Sequence, residues 1–136
     1  MAITYEWRGA FANDEVNALH AEAFAAPGQD PDGWDWRAHV ADHSLGWVLA
    51  RDGAELIGFV NVPWDGLVHA WIQDTMVAAH ARRRGVGAAL VARATDGARA
   101  AGCEWLHVDF DDHLRDFYLG ACGFSPTSAG LIALQD

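Results

Sequence analysis

The sequence predicts an α/β protein of the mixed α+β kind, a single domain in which helices pack on one mixed sheet. Three observations lead there. Apolar residues alternate in short runs through the first half of the chain, which is strand spacing; from Gly85 to Ala101 they recur with helical spacing; and a further strand follows that helix, so strands that meander are joined by a helical crossover. The 136 residues, half of them apolar, suffice for one core and leave no room for a second domain.

The elements follow in order. Ile3 to Arg8 alternates and reads as a strand, and Asn13 is placed to cap a helix carrying Val16, Leu19, Ala23 and Phe24 on one side, with Asp14 and Glu15 in its first turn. Pro27 to Gly33 is a turn-rich loop, and Trp34 to Ala41 a second short helix. Gly46 to Arg51 and Glu55 to Trp64 are strands split by Asp52-Gly53, a hairpin signal, and Val68 to Val77 is the next strand, after Asp65-Gly66. In the long helix Leu90, Val91, Ala94, Ala98 and Ala101 lie opposite Arg93, Asp96 and Arg99, and Gly102 ends it. Glu104 to Phe110 reads as a strand, Asp112 to Ala121 as a short helix, and Ser125 to Leu134 as a closing segment of strand character.

Composition narrows the function. A formal charge of −10 repels phosphate backbones, so a nucleic-acid binder is not expected. No apolar run reaches the roughly 20 residues of a membrane helix, and Met1 to Arg8 has no basic start followed by a long apolar run, so neither a membrane span nor a secretory leader is predicted. Cys103 and Cys122 are isolated, which suits a reducing cytoplasm. His39 and His43 stand four apart on a predicted helix, but no third ligand has a sensible spacing, so no metal is expected.

Against this acidic background all nine basic residues are Arg, and three are consecutive in Arg82-Arg83-Arg84-Gly85-Val86-Gly87-Ala88, just where the long helix begins. Glycines there let successive amide N–H groups converge on an anion, and the helix adds its positive end. A compact anion such as a pyrophosphate is the ligand this suits. A P-loop requires Gly-Lys-Ser/Thr, and the chain has no lysine; a dinucleotide fingerprint requires a third glycine, where Leu90 stands.

The motif resembles the Q/R-x-x-G-x-G/A signature of the GNAT superfamily of N-acetyltransferases. Phe117-Tyr118 with Cys122-Gly123-Phe124 is similar to that family's second signature, an aromatic pair closing on Gly-Phe, and Ile72 to Val77 to its fourth strand, with Ala79 where a proline is frequent. The likeness is specific from about Trp47 to Phe124 and covers the whole chain in element order. It implies a mixed sheet splayed between strands 4 and 5 and flanked by about four helices. It further implies acetyl-CoA as co-substrate, with Met76 and Val77 offering main-chain groups to the pantetheine arm and Arg82 to Ala88 holding the pyrophosphate. Asp111 stands where many relatives have an Asn that touches the cofactor arm. Tyr118 matches the tyrosine that protonates the departing thiolate, but precedes Gly123 by five residues where four is usual. One added residue turns a helix by about 100°.

Transfer to an amine needs a base, because an alkyl ammonium has a pKa near 10. Asp74, on the strand entering the motif, is the first candidate; His107 and Asp109 share one face of the following strand and are the next. Trp34, Trp36, Trp47, Trp64 and Trp71 come from elements that frame the acceptor side in relatives, and either fill the core or favour an acceptor with an aromatic body or a cation. The implied activity is direct acyl transfer from CoA to a primary amine of a small molecule or protein. The alternative is an acyl-CoA-binding domain that has lost transfer. The apolar run Leu131 to Leu134 offers an edge for a homodimer.

Overall fold

A computed structural model describes residues 2–24 and 33–135. Apart from Gly33, the loop expected from Pro27 onward lies outside the described residues. Strands β1 (Ile3–Trp7), β2 (Ser44–Asp52), β3 (Glu55–Pro63) and β5 (Gln73–Val77) form an antiparallel sheet in the order β1-β2-β3-β5. Strand β4 (His69–Trp71) instead pairs in parallel with β6 (Trp105–His107). Helices α1 (Asn13–Phe24) and α2 (Trp36–His43) cover one face of the large sheet, and α3 (Val86–Ala100) the other.

Side-chain alternation assigns the two faces. Phe59 packs edge-on to Phe11 and Trp36 on the α1/α2 face, while a Cβ at its neighbour Gly58 would meet Leu90 and Val86 of α3 at 3.0 and 3.1 Å. Trp7 fills the seam between β2 and α3. It lies so close that a Cβ at Gly46 would sit 2.2 Å from its ring and one at Gly97 2.6 Å, which is why both positions lack a side chain. Gly53, at φ +62°, turns the β2–β3 hairpin.

Several elements depart from the sequence reading. Asn13 does not cap α1. Ala12 does, its N–H donating to the Glu15 carboxylate while the Glu15 N–H donates to the Ala12 carbonyl. Asn13 is freed to bind the start of α2: its Oδ1 accepts from the Arg37 N–H and its Nδ2 donates to Asp35, the residue that caps α2. The single strand expected over Val68 to Val77 is broken at Ile72 into β4 and β5, and β5 is itself irregular against β3 at Asp74, which holds φ +57°. Strand β6 is only three residues long, because beyond His107 the chain turns away from β5 and loses its ladder partner. The expected helix over 112–121 is a 3-10 turn at Asp112–Leu114 followed by a π-helical turn at Asp116–Ala121. The segment after Phe124 forms no strand: it pairs with nothing, and Leu131, Ile132 and Leu134 are more than 80% exposed. An unpaired strand has no stability of its own.

Candidate active site

The break in the fourth strand opens the site. The Ile72 N–H donates to the His107 carbonyl at 2.9 Å, the last link between the two halves of the sheet; past it, β5 runs along β3 while residues 108–111 diverge, leaving a wedge. The expected splay is therefore present, made by strands that belong to two separate ladders. On the β5 wall, the Ala78 N–H donates to the Ile57 carbonyl. By strand alternation the main chain of Val77 then faces the wedge, where its carbonyl accepts from Arg82 Nε at 3.4 Å, and that of Met76 faces β3. Met76 contributes a fully buried side chain.

At the mouth of the wedge α3 begins without a side-chain cap, so the amides of its first turn have no partner of their own. Gly85 precedes it at φ +77°, a torsion that disfavours any side chain, and the space where its Cβ would stand is empty. Gly87 has a different role from its neighbour. A Cβ there would meet the Phe117 ring at 3.1 Å, so this glycine lets the second signature close against the first. The three arginines diverge: Arg82 turns to Val77, Arg84 lies 3.8 Å from Asp52, and Arg83, at φ +65° and exposed, has no ion pair among the described residues. Uncapped amides, an αL glycine, empty space and a guanidinium without an ion pair among the described residues suit a compact anion such as a pyrophosphate.

Inside the wedge, Tyr118 is buried among Phe110 (stacked, 5.1 Å), Phe117 (edge-on, 4.8 Å) and Phe124, and its hydroxyl donates to Thr75 Oγ1 at 3.4 Å. The extra residue before Gly123 does not rotate it away, because the helix absorbs that residue as a π turn in which the Cys122 N–H donates to the Phe117 carbonyl, five residues back. Burial pushes the phenol above its ordinary pKa; the Thr75 contact pulls it back, while Cys122 and Asp109 push it up. Asp109 and Asp111 are exposed on the strand side of the wedge, and the Asp111 carbonyl accepts from the Leu114 N–H. His107 is turned elsewhere, 2.8 Å from His69 Nδ1 and stacked on Trp71. Burial raises the Cys122 thiol, which makes it a poor nucleophile.

Asp74 faces the α1/α2 side. Burial raises its pKa; the Asn61 amide lowers it, and so do the His39 and His20 rings. Asn61, wholly buried on β3, accepts from the Ser44 hydroxyl, yet its Nδ2 makes no hydrogen bond of ordinary geometry among the described residues although it stands beside the Asp74 carboxyl. Asn61, Thr75 and His20 were not singled out from the sequence. Asn61 had a signal, as the one polar residue in the run from Leu56 to Val62.

A splayed sheet, an uncapped arginine-glycine helix start and a buried tyrosine within the wedge define the class as acyl-CoA-dependent transferases. The chain belongs to the GNAT acetyltransferase family, whose model matches residues 13–124. As a member it is an N-acetyltransferase with acetyl-CoA as co-substrate. Curated protein sequences offer no significant match. Among solved structures it is similar to a GNAT-family acetyltransferase from Streptococcus pneumoniae, with a TM-score of 0.74, 21% identity and coverage of 98% of this chain and 100% of that one. It is also similar to glucosamine-6-phosphate N-acetyltransferase from Arabidopsis thaliana (0.74, 16%, 98% and 99%) and to AAC(6')-Iy in complex with a CoA bisubstrate analogue (0.74, 18%, 100% and 99%). These likenesses show the fold. No helix among the described residues is long and apolar enough to cross a membrane.

Proposed function

We propose that the chain acetylates the primary amine of a small molecule, with Asp74 as base and Tyr118 as acid. The observation that carries this reading is Tyr118, protonated and buried next to Thr75, one residue along β5 from Asp74. Acetyl-CoA supplies an activated acyl carbon. Asp74 takes one proton from the ammonium, the freed lone pair forms the N–C bond, and the C–S pair leaves on sulfur, which receives the Tyr118 proton. The new amide nitrogen sheds its second proton to the phenolate, and Asp74 releases its own to water, so one proton is liberated per turnover. Asp109 is the second choice of base; its exposed carboxyl lacks the burial that raises Asp74 toward the working range. Thiol release against a panel of amines tests the reading, and no release with any amine overturns it.

The binding domain without transfer, for which the shifted Tyr118 and the carboxylate of Asp111 would speak, is not favoured: the chain belongs to an acetyltransferase family, and a π turn that takes up the extra residue accords with Tyr118 as acid. An acidic surface accords with cationic acceptors, without nucleic-acid or membrane partners, and isolated cysteines with a cytoplasmic setting. The exposed Leu131, Ile132 and Leu134 accord with a homodimer; a monomer mass by light scattering at high concentration refutes it.

A further inference from the structure

We infer that the acceptor is an arylalkylamine, a primary ammonium on a short arm from a planar aromatic ring, with the ring stacked on Trp34 and the ammonium directed at Asp74 beside Asn61. This rests on the reading of the chain as an amine acetyltransferase.

Trp34 is 57% exposed, yet it is among the most firmly held residues of its region: its N–H donates to Asn17 Oδ1 and its carbonyl accepts from Asn17 Nδ2. Trp36 covers one face at 6.0 Å and 22°, and is itself fixed by a bond from its Nε1 to the same Asn17 oxygen. A large indole that is held by its main chain, backed on one face by Trp36 and more than half exposed is a platform for a flat partner. A solvent-facing residue under no such demand would not need two main-chain bonds and a stacked neighbour.

From this platform the wall runs inward. His20 lies 6.4 Å from Trp34 and 5.5 Å from Trp36, His39 lies 5.9 Å from Trp36, and both histidines stand close enough to Asp74 to act on its charge. At the end is Asp74, with the Asn61 amide beside it. Ring faces and a carboxylate both attract a cation. Among the described residues, the titratable groups that act on Asp74 are His20 and His39, and His43 lies 5.8 Å from His39. The wall thus has one anionic end and an aromatic body, and it offers mostly ring faces to an acceptor, since the Trp36 N–H is already committed to Asn17.

The test uses 2-phenylethylamine, glucosamine and a lysine-ended peptide as acceptors, and Trp34→Ala, Trp34→Phe and the parent as enzymes. Expected are the highest kcat/KM with 2-phenylethylamine, a KM at least tenfold higher in Trp34→Ala, recovery in Trp34→Phe, and an unchanged acetyl-CoA Kd. Preferred turnover of glucosamine or the peptide, or an unmoved KM, overturns the inference while leaving the transferase reading intact. Quenching of tryptophan fluorescence by 2-phenylethylamine with CoA present separates the two claims. Saturable binding lost in Trp34→Ala, without thiol release, supports the inference against the transferase reading; no binding overturns the inference.

Discussion

Replacing Tyr118 with Phe asks the sharpest question of the site. The hydroxyl makes a single hydrogen bond, to Thr75 at 3.4 Å, the long limit for such a bond, whereas the ring is held by Phe110, Phe117 and Phe124. Its loss should cost about 1 kcal/mol of stability or less, because one weak bond disappears and no cavity opens. In the proposed mechanism the same atom carries the proton for the leaving sulfur, and a positioned acid contributes roughly 10²- to 10⁴-fold. Turnover should therefore fall at least about 100-fold, equivalent to about 2.7 kcal/mol of barrier, with the acetyl-CoA affinity within twofold of the parent. Burial holds the phenol above its ordinary value near 10, so the proton is in place throughout the neutral range and the alkaline loss of activity should begin above that value. Thiol release at neutral pH, with calorimetric titration of acetyl-CoA, reads rate and affinity, and extending the thiol-release profile to about pH 11 reads the alkaline limb. A rate within a few-fold of the parent refutes the acid role and makes Tyr118 a packing residue.

Three further outcomes are expected. Gly87→Val should weaken acetyl-CoA binding more than about tenfold, roughly 1.4 kcal/mol, because its side chain presses on Phe117 at the mouth of the wedge; calorimetry on a variant whose circular dichroism matches the parent checks it. Gly46→Ala places a methyl 2.2 Å from the Trp7 ring, so the melting temperature should fall by an amount corresponding to about 1–3 kcal/mol, and an unchanged melting curve would contradict the packing. Asp74→Asn should abolish most turnover yet stabilise the protein at neutral pH. A carboxyl whose folded pKa is raised stabilises the fold below its unfolded value and loses that contribution as pH rises through the folded one; the gain in the variant should thus shrink to nothing below about pH 4, by denaturant titration at several pH values.

The regular half of the fold was legible from local pattern. Alternation marks β1, β2 and β3, and α3 announces itself by a helical period between two glycines. The cofactor motif was legible for the same reason, since amides and torsions near a helix start are local properties. What escaped is non-local. Whether residues 108–110 form a strand depends on a partner that diverges from them, and whether Ser125 to Leu134 does depends on an edge that nothing among the described residues supplies. Asn13 looked like a cap because the competition between Ala12–Glu15 and α2 for it is tertiary. The π turn lay beyond pattern reading: the five-residue spacing from Tyr118 to Gly123 was visible, but not whether the helix would rotate or bulge.

Those irregular points are also where the proposed base and acid stand. A non-glycine residue at φ +57° costs of order 1 kcal/mol, and Asp74 adds the burial of a carboxyl, so β5 is less stable than a regular strand there. Continued regularly, β4 and β5 would run as one strand with nothing to part them from β6, closing the wedge; an α turn in place of the π turn would carry the added residue as a rotation between Tyr118 and the Gly123-Phe124 pair that packs on it. Each irregularity lies at one of the two groups proposed to react, and the surrounding regular structure bears the cost: β3 holds Asn61 beside Asp74, and Phe110, Phe117 and Phe124 hold the Tyr118 ring. Restoring regular geometry at either point should therefore raise stability and lower turnover together, the pattern also expected of Asp74→Asn, whereas Gly46→Ala is expected to lower stability.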